Sequence, residues 1–382
     1  MSIRFLHSAD WQLGMTRHFL GQEAQARFSQ ARIDAIRTLG TIARERGAAF
    51  LVVSGDVFET NQVAPVTVRR TLDALGDVPV PVFLLPGNHD PLDAASVYRS
   101  RTFVDGCPAH VTVLEDGRCH PVAGAEVLGA PWSSKRPLRD LVAEAAAALP
   151  SGRGVPRVLV AHGATDDLME LGINPAIIRV GDAEAALADG RLAYIALGDR
   201  HSTTAVGRTG RIWYAGAPEP TDYDETDAGN ALLVELADDG ACRVERVETG
   251  TWRFVRERFD VDGPEGIEPL ARFLAALPAK DRTIVKLTLV GTITLATDAR
   301  LKDLLDTSGD LLGGLEQWAR HTDIVVRPDD DDFSDLRLTG FAATAVDRLR
   351  ERADAGDTED ARVARDALAL LVRLARPASG AA

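Results

Sequence analysis

Residues 82–90 read Val82-Phe83-Leu84-Leu85-Pro86-Gly87-Asn88-His89-Asp90, an apolar β-like run that ends on an amide, an imidazole and a carboxylate. Four other apolar runs end in a comparable way. Ile3–His7 precedes Asp10-Trp11-Gln12, and Phe50–Val53 precedes Gly55-Asp56. Val158–Ala161 precedes His162-Gly163, and Ala193–Leu197 precedes Gly198-Asp199-Arg200-His201. In an open α/β sheet, ligand sites form at the carboxyl ends of the strands. Strand ends that deliver Asp, Asn and His would therefore converge on one edge. Oxygen and imidazole donors in that mix suit a pair of hard or borderline divalent ions such as manganese. Two such ions about 3.5–4 Å apart clamp the attacking and leaving oxygens of a phosphodiester, so the pattern points to phosphoester hydrolysis.

The strings HSADWQLG, VVSGDVFE, LLPGNHD, VLVAHG, ALGDRHS and YAGAPEP carry a family resemblance. Over residues 1 to about 250 the chain resembles the calcineurin-like metallophosphoesterases, and among them the bacterial SbcD-type DNA repair nucleases. GNHD with an upstream GD is specific, whereas a lone GD or His-Gly is weak. The resemblance implies an α/β fold, a two-sheet sandwich flanked by helices. A small α+β capping domain and a C-terminal helical hairpin would follow it. The expected division is a nuclease domain over 1–250, a capping domain over 251–328, and an acidic linker with a helical hairpin over 329–382.

Carried over position by position, the resemblance gives a first metal to Asp10, Gln12, Asp56 and His201. It gives a second to Asp56, Asn88, His162 and Asp199, with Asp56 bridging through its two oxygens. His89 matches the family's catalytic histidine, placed to protonate the leaving oxygen or brace the scissile phosphate. Asp90 is expected to hold the His89 ring. Each residue also has a plainer role open to it. Asp10 and Asp56 could cap the following helices, Asn88 could occupy a turn, and His162 could be a buried histidine.

Two positions depart from the family. Its Asp-x-His is here Asp10-Trp11-Gln12, and its Gly-His-x-His is Gly198-Asp199-Arg200-His201. Both changes move the donors from imidazole towards oxygen, which favours manganese, with magnesium next, over zinc or iron. Alternatively, Gln12 does not ligate, or Asp199 pairs with Arg200 or another cation. Trp11 could stack on a base or serve the core. Arg17, Arg99 and Arg101 could meet phosphate. The segment Tyr214–Pro220 could rim a groove or simply turn.

The chain has 382 residues, of which 45% are hydrophobic and 26% charged, as in ordinary globular proteins with more than one domain. It contains no run of 18 apolar residues, so no membrane span is expected. The start lacks a basic region and an apolar signal core. Cys107, Cys119 and Cys242 form neither a CxxC pair nor a disulfide framework, which fits a reducing cytoplasm. The net charge is −14, with Lys+Arg 43 against Asp+Glu 57, unlike the basic surface of a protein that grips DNA alone. Either a partner supplies much of the DNA affinity, or the acidity serves solubility.

The first 90 residues read β-α-β-α-β. The first helix spans Glu23–Arg46, with Phe28, Ile33, Ile36, Leu39 and Ile42 as its buried stripe and Gly47 as its stop. Beyond Arg253 the pattern turns to strands at Val255–Val261, Thr283–Val290 and Asp323–Val326, with helices at Gly266–Ala276 and Asp298–Leu305. Asp329–Asp332 reads as a solvated linker. Helices at Phe341–Ala353 and Glu359–Arg376 form the tail, the second with a stripe of Val363, Leu368, Leu371 and Leu374. In the family, such a hairpin clamps the coiled-coil root of an SMC-like ATPase. Packing on its own domain, or a dimer contact, is the alternative.

The expected activity is a two-metal DNA exonuclease and endonuclease in double-strand-break repair, working with that ATPase. The resemblance adds a homodimer. The alternatives are a phosphoesterase with a non-DNA substrate, and a weakened scaffold subunit of the same complex.

Overall fold

The computed structural model describes residues 2–152, 154–168, 175–326, 339–356 and 358–375. Contacts divide it into two compact units, Met1–Arg253 and Phe254–Ala382.

The first unit begins with β1 (Ile3–Ser8), α1 (Gln22–Arg46), β2 (Leu51–Val53), α2 (Pro65–Gly76), β3 (Val82–Leu84), α3 (Arg101–Gly106) and β4 (Val111–Val113). It continues through β5 (His120–Val122), β6 (Ala125–Ala130), α4 (Leu141–Ala147), β7 (Arg157–His162), α5 (Val180–Ala188) and β8 (Tyr194–Gly198). β9 (Thr204–Val206), β10 (Ile212–Tyr214), β11 (Asn230–Leu236) and β12 (Cys242–Glu248) complete it. Two mixed six-stranded sheets result, in the orders β12-β11-β1-β2-β3-β4 and β5-β6-β7-β8-β10-β9.

The sheets face each other across an apolar layer. Phe5, Phe50, Val52 and Phe83 from one meet Val127, Val158, Val160, Tyr194 and Ala196 from the other. The Phe5 and Phe50 rings stack with centroids 4.8 Å apart. Each fully buried large apolar side chain contributes roughly 1.5–3 kcal/mol, so this layer fixes how the sheets superpose. The outer faces are covered by helices. α1 and α2 bring Ile33, Ile36, Leu39, Leu72 and Leu75 to the first sheet, and α4 and α5 bring Val142, Ala146, Ala183 and Leu187 to the second. Strands β2 and β3, apolar on both faces, are the central strands their sequence predicts. Gly47, at φ 65°, ends α1 in the left-handed conformation a side chain would resist.

The second unit holds β13 (Arg253–Asp260), α6 (Ile267–Ala276), β14 (Thr283–Ile293), α7 (Leu295–Gly309), β15 (Gly314–Gln317) and β16 (Asp323–Val326). β14 is central to its four-stranded sheet, with parallel neighbours β15 and β16. The helices α8 (Phe341–Ala353) and α9 (Glu359–Ala375) pair as a hairpin. Their buried Val346 and Leu368 pack against Leu295 of α7, with Val326, Leu349 and Leu371 around them. The hairpin thus rests one face on its own unit, as the alternative reading has it. Phe341, Val363 and Leu370 stay outside, at 91%, 61% and 48% exposure. The acidic run Asp329–Asp332 and the side chain of Leu374 lie outside the described residues.

Among the described residues, no helix is long and apolar enough to cross a membrane. Cys107, Cys119 and Cys242 are not in disulfides.

Candidate metal centre

The loops after β1 and β2 run alongside each other. Asp10 N donates to Gly55 O at 3.1 Å, Gln12 N to Asp56 O at 3.0 Å, and Leu13 N to Val57 O at 2.9 Å. The loop after β3 joins them through His89 N, which donates to the Asp56 carboxylate at 3.0 Å. The second sheet arrives from the other side. His162 Nδ1 lies 2.8 Å from Ser54 O, and Asp199 N donates to Asp10 Oδ1 at 3.1 Å. Five strand ends from two sheets therefore meet at one edge.

Glycines make that approach possible. A Cβ on Gly55 would stand 2.2 Å from His162 Nδ1, and one on Gly87 would stand 2.2 Å from Asp56 Oδ1. One on Gly198 would fall 1.8 Å from Ser54 O. The Gly-Asp, Gly-Asn and Gly-Asp strings are thus steric requirements, each clearing space for a group from a neighbouring strand.

Backbone strain collects at the same place. Among the described residues, six other than glycine have positive φ, and four are expected ligands: Asp10 (54°), Gln12 (50°), Asp56 (52°) and Asp199 (102°). Such conformations cost about 1–3 kcal/mol each and persist where surrounding structure holds them. Asp10 and Asp56 do not cap helices. The N-caps of α1 and α2 are Gly21 and Ala64.

The donor set fits divalent cations. Ligand atoms of Asp10, Asp56 and His162 all lie within 4.8 Å of one another. His162 Nε2 is 3.5 Å from Asp56 Oδ1, 3.6 Å from Asp199 Oδ1 and 2.6 Å from Asn88 Oδ1. With Nδ1–H given to Ser54 O, Nε2 is an acceptor facing other acceptors, so a proton or a cation must stand between them. Gln12 is 1% exposed; its Nε2 donates to Asp56 Oδ2 at 3.1 Å, while its Oε1 is buried with no hydrogen-bond partner. A cation is the kind of neighbour that satisfies such an oxygen. Asp199 is not tied to Arg200, whose Nε donates to Thr204 Oγ1 instead.

The electrostatics agree. Burial raises the Asp10 carboxyl to about 7, against the lowering influence of His201 and His162, with Asp56 and Asp199 adding to the rise. Burial opposes charge on His162, yet Asp56, Asp199 and Asp10 outweigh it and bring that ring to about 9. These groups crowd negative charge into a place where only a cation relieves it.

His201 and His89 repeat one arrangement. His201 Nδ1 is 2.9 Å from Glu225 Oε1 and 2.7 Å from Thr221 Oγ1, so a carboxylate fixes the ring and leaves Nε2 as the ligating atom. His89 Nδ1 lies 2.9 Å from Glu59 O, leaving Nε2 4.0 Å from Asp56 Oδ2 on a side chain 41% exposed. Glu59 O, rather than Asp90, thus holds that ring. Asp90 is fully buried and holds the loop itself, accepting from Gly87 N, Phe58 N and Tyr98 Oη.

A family model, calcineurin-like phosphoesterase, matches residues 3–231, more than half of the chain. The chain belongs to the calcineurin-like phosphoesterase family. This phosphoesterase is 27% identical over 289 residues to the D subunit of nuclease SbcCD from Bacillus subtilis (strain 168), covering 66% of this chain and 69% of that one. Among solved structures it is similar to TT1561 of Thermus thermophilus, at 8% identity and TM-score 0.39, over 64% of this chain and 99% of that one. It is also similar to purple acid phosphatase PPD1 of yellow lupin (Lupinus luteus) seeds, at 12% identity and TM-score 0.38, over 65% and 52%.

Several residues of the phosphoesterase site escape the sequence reading. Glu225, Thr221 and Ser54 orient its histidines, and Glu59 acts through a backbone carbonyl, which no side-chain motif encodes. Trp11 proves a core residue, 1% exposed, with Nε1 on Ser8 Oγ. Arg17 is held by Thr221 O and faces Asp222. The Pro218–Pro220 stretch is built into the fold. Buried Glu219 accepts from Thr251 N and Trp252 N, and buried Arg32 donates to Pro220 O and Trp11 O.

Proposed function

We propose that this phosphoesterase is a two-metal DNA phosphodiesterase that works with an SMC-like coiled-coil ATPase. Asp10, Gln12, Asp56 and His201 would hold one ion, and Asp56, Asn88, His162 and Asp199 the other. Manganese is the expected occupant, with magnesium second, because oxygens outnumber imidazoles. When bound, such ions supply the Lewis acidity that phosphodiester hydrolysis needs. The observation that carries the reading is the donor cluster itself: buried carboxylates, an acceptor imidazole and an orphaned amide oxygen face one another beside an accessible His89.

The chain's own contribution centres on His89. With Nδ1 held by Glu59 O, Nε2 stays aimed at the site and reachable by substrate. It is placed to brace the scissile phosphate or deliver a proton to the departing oxygen. Asp56 fixes the His89 backbone, so the residue that bridges the ions also sets the position of the proton donor.

DNA is favoured as substrate by the similarity to a nuclease subunit, and the ATPase by that relative's place in a two-component nuclease. The exposed Val363 and Leu370, seven residues apart on one face of α9, support a hairpin contact with it. Residues 251–328 are proposed as a cap over DNA, and a homodimer as the assembly.

The test is manganese-dependent degradation of linear duplex DNA by the wild type and by His89→Ala. Loss of at least a hundredfold in kcat, with manganese binding retained by calorimetry, supports the reading. DNA degradation that survives His89→Ala overturns it.

A further inference from the structure

We infer that the loop leaving β6, Pro131 to Arg139, seats phosphates of the substrate strand beside the metal centre; this rests on the nuclease reading above. β6 pairs in parallel with β7, Ala130 opposite Ala161, so the loop departs from the edge that delivers His162. Trp132 pins its base in place. Its N donates to Pro86 O at 3.1 Å and its O accepts from Leu92 N at 2.8 Å, spanning the Gly87–Asp90 turn. Its Nε1 donates to His162 O at 2.7 Å, and its ring stands edge-on to the His162 ring at 5.8 Å. The loop is therefore stitched to the two segments that carry Asn88, His89 and His162.

The stretch beyond Trp132 is exposed and cationic. Ser133, Ser134, Lys135 and Arg136 face solvent, and no acid occurs from Pro131 to Arg139 in a chain whose net charge is −14. Arg139 is taken by Glu144 at 3.0 Å. Among the described residues, Lys135 and Arg136 have no ion pair. Lys135 is the sole lysine of residues 1–253. An extended chain spans at most about 3.6 Å per residue, so the Lys135 Cα lies within roughly 11 Å of that of Trp132. Pro131 and Pro137 restrict the backbone on either side.

Other arginines around the centre are already engaged. Arg17 is bonded to Thr221 O, Arg32 is buried against three carbonyls, and Arg200 holds Thr204 Oγ1. Lys135 and Arg136 are the cations left to meet a polyanion, with Ser133 and Ser134 as neutral donors beside them.

The experiment compares the full chain with a Lys135→Glu/Arg136→Glu variant in manganese. It uses a linear DNA duplex and, separately, bis(p-nitrophenyl) phosphate, a diester too small to reach the loop. The expected result is a fall of at least tenfold in the ratio of DNA to small-diester kcat/KM, borne by KM. The slope of log KM for DNA against log salt should flatten by about 1–2, one counterion per lost phosphate contact. An unchanged ratio and slope overturn the loop's role while leaving the nuclease reading intact. A wild type that hydrolyses the small diester but neither binds nor cuts DNA overturns both. Should the double reversal lower small-diester turnover as well, Lys135→Gln/Arg136→Gln is read by the same ratio and slope.

Discussion

At the residue scale, the centre is held by what is missing as much as by what is present. Gly87 has no side chain because Asp56 Oδ1 occupies the space. Gly87→Ala should therefore push Asp56 aside and lower manganese affinity at least tenfold, with little change in the circular dichroism of the fold; calorimetric titration reads this directly. Protonation gives a second prediction. His162 is raised from 6.5 to about 9, so its contribution to stability is full below pH 6.5 and lost as pH rises through about 9. Asp10, raised from 3.8 to about 7, acts in the same sense, its contribution fading as pH climbs through about 7. Chelator-treated protein should melt at a lower temperature at pH 9.5 than at pH 6. Manganese should narrow that gap, because a ligated cation replaces the proton. A melting temperature of chelated protein that rises with pH would contradict both assignments.

At the element scale, the hairpin α8–α9 depends on one seam. Leu368, 1% exposed, packs on Leu295 and Val346. Leu368→Ala removes that contact and should cost about 2–4 kcal/mol locally. Hydrogen exchange should quicken across 341–375 and stay unchanged around β1–β3.

The elements also mark how far the sequence can be read. Long periodic or uniformly apolar segments are legible: α1 begins at Gln22, one residue before the expected Glu23, and β2, β3, β7 and β8 lie on the predicted runs. So are the ligand-bearing turns, because Gly-Asp and Gly-Asn-His-Asp pack several steric and chemical demands into adjacent residues. Illegible is whatever depends on distant partners. Glu225 sits 24 residues beyond the His201 it orients, in a loop with no periodicity. Trp132 looks like any loop aromatic until Pro86 and His162 are found beside it. Asp90 runs against its expected direction. Adjacency suggests the His89 ring, whereas the buried carboxylate turns inward to two amides and Tyr98.

At the scale of the whole molecule, all the candidate ligands lie in the unit Met1–Arg253, and each hydrogen bond described for them stays within it. Residues 1–253 made alone should bind two manganese ions by calorimetry and turn over a small phosphodiester. A truncated chain that folds yet binds none would mean the centre needs residues beyond 253. The contrast between −14 overall and an acid-free, basic loop at the metal edge also bears on how substrate arrives. Raising ionic strength should weaken DNA capture more than turnover of a small diester, since only the polyanion gathers several screened contacts.

Lys135 has a practical consequence as well. In the first unit it is the one side-chain amine, and it stands exposed a few residues from the tryptophan that touches His162. An acylating dye or a short amine cross-linker would therefore label that unit's side chains at a single point, beside the chemistry, without engineering. The reactivity of that amine becomes a gauge of whether anything has settled onto the loop.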